Sequence, residues 1–141
     1  MYKDILMPID LGDENSWRAL PVCIEYAKAF GSTLHVVTVV PDFGMSIVGS
    51  LFPANFEHQA LTRANEALHK WVTDNVPQGI SVQHIVAHGA AYEEILRVSE
   101  EIKCDLIVMA SHRPKPEDYL IGPNAARVVR HANCSVLVVR E

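Results

Sequence analysis

The chain has 141 residues, 49% of them hydrophobic, and its 12 Lys and Arg against 17 Asp and Glu give a formal net charge of -5. This length suits one folded domain with its own core, and the mildly acidic, interspersed charge argues against a DNA- or RNA-binding protein. The first apolar run is interrupted by Pro8 and no run is long enough to span a bilayer, so we expect a cytoplasmic protein with no membrane partner.

Five short apolar runs rich in β-branched residues predict strands, at residues 2–9, 33–40, 80–87, 105–110 and 135–139. The runs are continuous and not strictly alternating, which is typical of strands buried on both faces of a parallel sheet.

Four segments between the strand runs place apolar residues at helical spacing. Their members are Trp17, Leu20, Ile24 and Ala27; Ala60, Ala64, Leu68 and Trp71; Ile95, Val98 and Ile102; and Ala125, Val128, Val129 and Ala132. Pro21 should either kink the first helix or mark its true start. Alternating strands and helices predict a single doubly wound α/β domain over residues 1–141, with a five-stranded parallel sheet and helices on both faces.

Two features lie outside this pattern. Residues 41–56 are long and apolar for a loop, so they either pack over the domain's own edge or serve as a lid or a docking segment.

The three cysteines, Cys23, Cys104 and Cys134, are far apart in sequence and form no C-x-x-C pair, which favours neither a disulfide framework nor a zinc site. We expect them to be small buried hydrophobic side chains.

A ligand is expected beyond the carboxyl ends of the strands, as in other open parallel sheets. The residues at those ends are Pro8, Ile9 and Asp10, then Val39 and Val40, then Ala110, Ser111 and His112. The last helix opens at Gly122, Pro123 and Asn124, where free backbone N–H groups and the positive end of the helix dipole can hold an anion.

Three kinds of catalytic or metal site find little support. There is no G-x-x-x-x-G-K-[ST] motif. Ser111 and His112 are neighbours in an extended segment and point opposite ways, so they do not form a triad with Asp10. His84 and His88 share a strand face but lie roughly 13 Å apart along it, too far to share a metal. No catalytic residue and no metal ligand is predicted, and only slow ATP hydrolysis stays open.

Three stretches resemble the universal stress protein family, namely ILMPID near the N-terminus, DLIVMASHRP, and LIGPNAARVVRHANCSVLVVR at the end of the chain. The resemblance extends over essentially the whole chain. It implies one nucleotide-binding domain with the strand order 3-2-1-4-5. In nucleotide-binding members a Pro-x-Asp after the first strand and a backbone group after the second hold adenosine, which implies that role for Pro8, Asp10 and Val39.

In those members a G-x-x-G loop and a later G-[S/T] wrap the phosphates. Gly122 matches the last glycine, whereas Ala110 and Arg113 stand where the two loop glycines would be, and Pro123 replaces the hydroxyl residue. This loop resembles a branch of the family with an A-S-H-R-P type of nucleotide loop. The phosphate contacts implied here are Ala110, Ser111, His112, Arg113, Gly122, Pro123, Asn124 and Ala125.

The function that the resemblance implies is a small cytoplasmic adenine-nucleotide-binding protein, a stress-response or regulatory factor. Its ligand would be ATP or another adenine nucleotide, either alone or with Mg²⁺. We expect a homodimer formed through the apolar C-terminal strand, since an exposed strand of this kind would otherwise aggregate. The alternative function is a nucleotide-free dimeric adaptor that uses residues 41–56.

Overall fold

The computed structural model of the protein describes residues 1–41, 56–111 and 123–140. The strands are β1 (Asp4–Pro8), β2 (Thr33–Val40), β3 (Val82–His88), β4 (Leu106–Ala110) and β5 (Ser135–Val139). The helices are α1 (Leu20–Phe30), α2 (Phe56–Asn75), α3 (Ala91–Glu101) and α4 (Pro123–His131), with a 3-10 helix at Glu14–Ala19.

All five strands pair in parallel in one sheet of order β3-β2-β1-β4-β5. The predicted α/β class and the strand order 3-2-1-4-5 are therefore confirmed. The order reverses between β1 and β4, and their carboxyl ends meet at the point where doubly wound sheets bind ligands.

Two hydrophobic clusters, one on each face of the sheet, form the core. Side chains alternate along a strand, so Ile5 and Met7 pack with helices α1 and α2, whereas Leu6 packs with α3 and α4. The helical positions predicted to face the core include Leu68 and Val128, which are completely buried. The expectation of helices on both faces is thus confirmed.

The helices depart from the predicted pattern at their ends. Pro21 is the second residue of α1 and marks its start, because Trp17 belongs to the preceding 3-10 helix. Ile102 and Ala132 follow the last residues of α3 and α4, yet both pack against the second cluster. A residue can thus continue the apolar pattern of a helix after its backbone has left the helix.

None of the described helices combines the length and the apolar character needed to cross a membrane. The predicted loop at residues 41–56 lies outside the described residues, apart from Pro41 and the first residue of α2.

Candidate ligand-binding cleft

A cleft of about 490 Å³ opens at the carboxyl ends of the strands. This volume is in the range usual for small-molecule sites. Ile9, which directly follows β1, lines the cleft, and so do eight of the eleven ligand contacts predicted from the sequence, namely Pro8, Asp10, Val39, Ala110, Ser111, Pro123, Asn124 and Ala125. The other three predicted site residues, His112, Arg113 and Gly122, lie outside the described part of the chain.

Asp10 lies at one side of the cleft in a conformation held by Ser16. The backbone N–H of Asp10 donates to Ser16 Oγ at 2.9 Å, and the Ser16 hydroxyl lies 3.1 Å from the Asp10 carbonyl and 2.8 Å from that of Asp13. Gly12 N–H donates to Asp10 Oδ1 at 2.9 Å. A carboxylate has acceptor capacity for further hydrogen bonds, so the exposed Asp10 side chain can still accept from a ligand.

Trp17 adds a second restraint on Asp10. Its indole N–H donates to the Asp10 carbonyl at 3.0 Å. The Trp17 ring meets the ring of Trp71, on α2, edge to face at a centroid distance of 5.7 Å. The 3-10 helix is therefore fixed between the end of β1 and the core.

Three residues at this side of the cleft were not predicted from the sequence as site residues, namely Asp13, Ser16 and Trp17. The available signal was a capping one: Asp13 caps the 3-10 helix by accepting from Asn15 N–H at 3.0 Å. An Asp followed by a short polar run is a recognised helix start. That signal locates the turn, but it does not reveal that Ser16 and Trp17 reach back to Asp10.

The floor between the two sides of the cleft is apolar. Val37, Val39, Ile95 and Met109 contribute to it from β2, α3 and β4. Such a surface suits a flat, weakly polar group such as a nucleobase, because burial of apolar area is favourable without directional requirements.

The opposite side of the cleft is the N-terminus of α4. The helix begins at Pro123, with Asn124 exposed and Ala125 buried. The first N–H groups of a helix have no partner within it, and they carry the positive end of the helix dipole. Ser111, 7% exposed, borders this end, and its N–H donates to Val139 on β5 at 2.9 Å.

The charge of the cleft is uneven. Asp10 and Asp13 lie at one side, and no basic side chain is among the described residues that line the cleft. An anion at the α4 end would therefore rely on backbone N–H groups, on the helix dipole and on any cation supplied from outside the described residues.

Together the fold and the cleft define a doubly wound α/β protein with an open cleft at its topological switch point, where proteins of this fold class bind ligands. The sequence profile described as "Universal stress protein family" matches residues 1–140. The chain belongs to the universal stress protein family.

Individual relatives and solved structures also align with nearly the whole chain. The chain is 32% identical over 144 residues to universal stress protein G of Escherichia coli O157:H7, with 99% of this chain and 100% of that protein aligned. A universal stress protein from Archaeoglobus fulgidus solved in complex with dAMP has 19% identity and a TM-score of 0.69, covering 97% of each chain. A universal stress protein solved in complex with cAMP has 22% identity and a TM-score of 0.64, covering 99% of this chain and 97% of that one.

Proposed function

We propose that the protein binds an adenine nucleotide in this cleft and acts as a small cytoplasmic stress-response or regulatory protein. The observation that carries the proposal is the convergence in one cleft of a fixed acceptor, Asp10, an apolar floor and the N-terminus of α4. The adenine nucleotides bound by two proteins of the same fold support it.

The nucleoside would occupy the side of the cleft near β1 and β2. Asp10 would accept a hydrogen bond from adenine or ribose, and the base would lie against Val39 and the rest of the apolar floor. Because Ser16 and Trp17 hold Asp10 in place before binding, little ordering remains to be done when the ligand arrives.

The phosphates would lie at the N-terminus of α4, against the N–H groups of Asn124 and Ala125 and beside Ser111. Pro123 offers neither an N–H nor a hydroxyl, and a lost hydrogen bond to a charged group costs about 1.5–3 kcal/mol. Arg113 would supply charge-assisted donors in its place. We infer a dissociation constant for ATP of about 1–100 μM. With its A-S-H-R-P sequence, this loop would place the chain in the branch of the family that shares it.

The homodimer would form through β5, which is an edge strand of the sheet. Its apolar residues Val136, Leu137, Val138 and Val139 are all only half-buried. Pairing with a second copy would cover this edge and satisfy its backbone groups.

Calorimetric titration with ATP, ADP and AMP, each with and without Mg²⁺, tests the proposal. We expect saturable binding by the wild-type protein and a loss of at least tenfold in Asp10→Ala, whereas the matched surface variant Asp74→Ala should bind as the wild type does. An acid extract of the purified protein, run on anion exchange, would identify a nucleotide retained from the cell. No binding of any of the three nucleotides at millimolar concentration would refute the proposal and favour the dimeric adaptor that uses residues 41–56.

A further inference from the structure

Cys104 and Cys134 form a pair of thiols that the proposed nucleotide site does not use. Their sulfur atoms lie 3.8 Å apart, although the residues are 30 positions apart in the chain. Cys104 is buried, at 8% exposure, and Cys134 is half-buried. The third thiol, Cys23, is completely buried in the cluster on the other face of the sheet.

The backbone at both cysteines is fixed by a hydrogen bond or by the strand that follows. Cys104 lies just before β4, and its N–H donates to the Ser99 carbonyl at 3.1 Å. Cys134 directly precedes β5, where Ser135 is the register partner of Leu106 on β4. Neighbouring strands lie about 4.8 Å apart, and disulfides bridge Cα separations of about 4.4–6.8 Å. Side-chain rotation that brings the sulfurs about 1.8 Å closer would reach bonding distance.

We propose that Cys104 and Cys134 are a site of oxidation by peroxides, at which an intramolecular disulfide closes between β4 and β5. The proposal goes beyond the nucleotide function and does not depend on it. Two thiols and one peroxide give one disulfide, one water and one alcohol, or a second water when the oxidant is hydrogen peroxide.

The reaction proceeds in two steps. The sulfur of Cys134, the more exposed of the two, attacks a peroxide oxygen: an S–O bond forms, the O–O bond breaks, and the thiol proton passes to the leaving alkoxide or hydroxide. The sulfur of Cys104 then attacks the sulfenic sulfur of Cys134. The S–S bond forms, the S–O bond breaks, and the proton of Cys104 leaves with hydroxide as water.

Burial of the two thiols lowers the rate of this oxidation. It raises the pKa of the Cys104 thiol far above its usual value, with Cys134 adding to the shift, and it also raises the pKa of Cys134. Because the thiolate is the nucleophile, both cysteines react slowly at neutral pH. We therefore expect the pair to record sustained exposure to peroxide and not a brief pulse. Cys23, whose pKa burial raises to about 12, has no thiol partner among the described residues and serves as an internal control.

The disulfide would enclose functional parts of the molecule. The chain from Cys104 to Cys134 includes β4, α4 and the cleft residues Ala110, Ser111 and Asn124. Closing a loop of this length restricts the unfolded chain more than the folded one, and we expect the midpoint of thermal unfolding to rise by about 5–10 °C.

The test is to expose the reduced full-length protein to hydrogen peroxide and to digest it with trypsin under non-reducing conditions. We expect two of the three thiols to disappear, a mass loss of about 2 Da, and a link between the peptides that begin at Cys104 and at His131. The protein should migrate as a single chain on a non-reducing gel. Three thiols that remain free after prolonged exposure, or a disulfide between two chains, would overturn the proposal.

Two variants separate the pair from general oxidation. Cys23→Ala should form the same disulfide and gain the same thermal shift. Cys134→Ser, a change at the less buried position, should fold, lose the cross-link and show no rise in its unfolding midpoint after peroxide. A cross-link that involves Cys23, or a midpoint that falls on oxidation of the wild type, would contradict the proposed disulfide between Cys104 and Cys134.

Discussion

Trp17 donates its indole N–H to the backbone carbonyl of Asp10 at 3.0 Å while its ring packs against Trp71 at a centroid distance of 5.7 Å. A residue at the rim of the cleft is thereby tied to the hydrophobic core. Trp71 offers a built-in comparison, because its own indole nitrogen is buried with no hydrogen-bond partner among the described residues.

Trp17→Phe should weaken ATP binding about fivefold, because it keeps an aromatic ring but removes one hydrogen bond that positions Asp10. Trp71→Phe makes the same chemical change where no hydrogen bond is lost, and it keeps an aromatic ring against Trp17, so it should reduce affinity less than Trp17→Phe does. Calorimetric titration of both variants provides the measurement. Equal affinities for Trp17→Phe and the wild type would show that Asp10 needs no such restraint.

Pro123→Ser should tighten ATP binding about tenfold, since it restores one N–H and one hydroxyl at the start of α4. Adenosine has no phosphate, so its affinity should not change. Pro77→Ser, at an exposed position just before a turn and not among the residues that line the cleft, is the matched control. Arg113→Ala should weaken ATP binding and spare adenosine. If neither Pro123→Ser nor Arg113→Ala changes the ATP affinity, the phosphates do not lie at this helix.

Asp105→Ala should lower the free energy of unfolding by about 1–3 kcal/mol. The Asp105 carboxylate accepts from Lys3 N–H at 2.9 Å and from Asp4 N–H at 3.1 Å, which joins the start of β1 to the start of β4. Asp74→Ala removes only an exposed ion pair with Lys70 and should cost less than about 0.5 kcal/mol. Urea denaturation compares them, and equal losses would mean that the Asp105 contacts add no net stability.

Val138→Lys should weaken dimerisation, because it places a charge on the edge strand that we propose as the interface. Sedimentation equilibrium at micromolar concentration is the measurement, and a rise in the dimer dissociation constant is the expected result. Val129→Lys makes the same substitution at an exposed position of α4, where Val129 is 43% exposed. A monomeric wild-type protein, or equal effects of the two variants, would remove β5 as the interface.

The class of fold and the strand-end residues of the cleft could be predicted from the amino-acid sequence. Strands buried in a parallel sheet require continuous apolar runs. Such a run can be recognised at residues 33–40 without knowing which strands lie beside it. Where a strand stops is also a local property, which is why Asp10 and Ser111 could be placed at strand ends. The carboxyl ends of parallel strands necessarily share one edge of the sheet, so both residues had to lie at that edge, and the pairing of β1 with β4 then brings them close together.

Contacts between side chains that are distant in the sequence could not be predicted in this way, because they depend on how the elements pack. Cys104 and Cys134 looked unrelated in the sequence, and they come within 3.8 Å because β4 and β5 are neighbours with Leu106 opposite Ser135. The apolar spacing predicted that Trp17 belongs to the buried face of a helix. In the structure it lies in a 3-10 helix and its indole N–H donates to the Asp10 carbonyl. Hydrophobic burial is non-directional and leaves its pattern along the chain, whereas a hydrogen bond or a thiol pair depends on distances of a few tenths of an ångström that only the packed elements set.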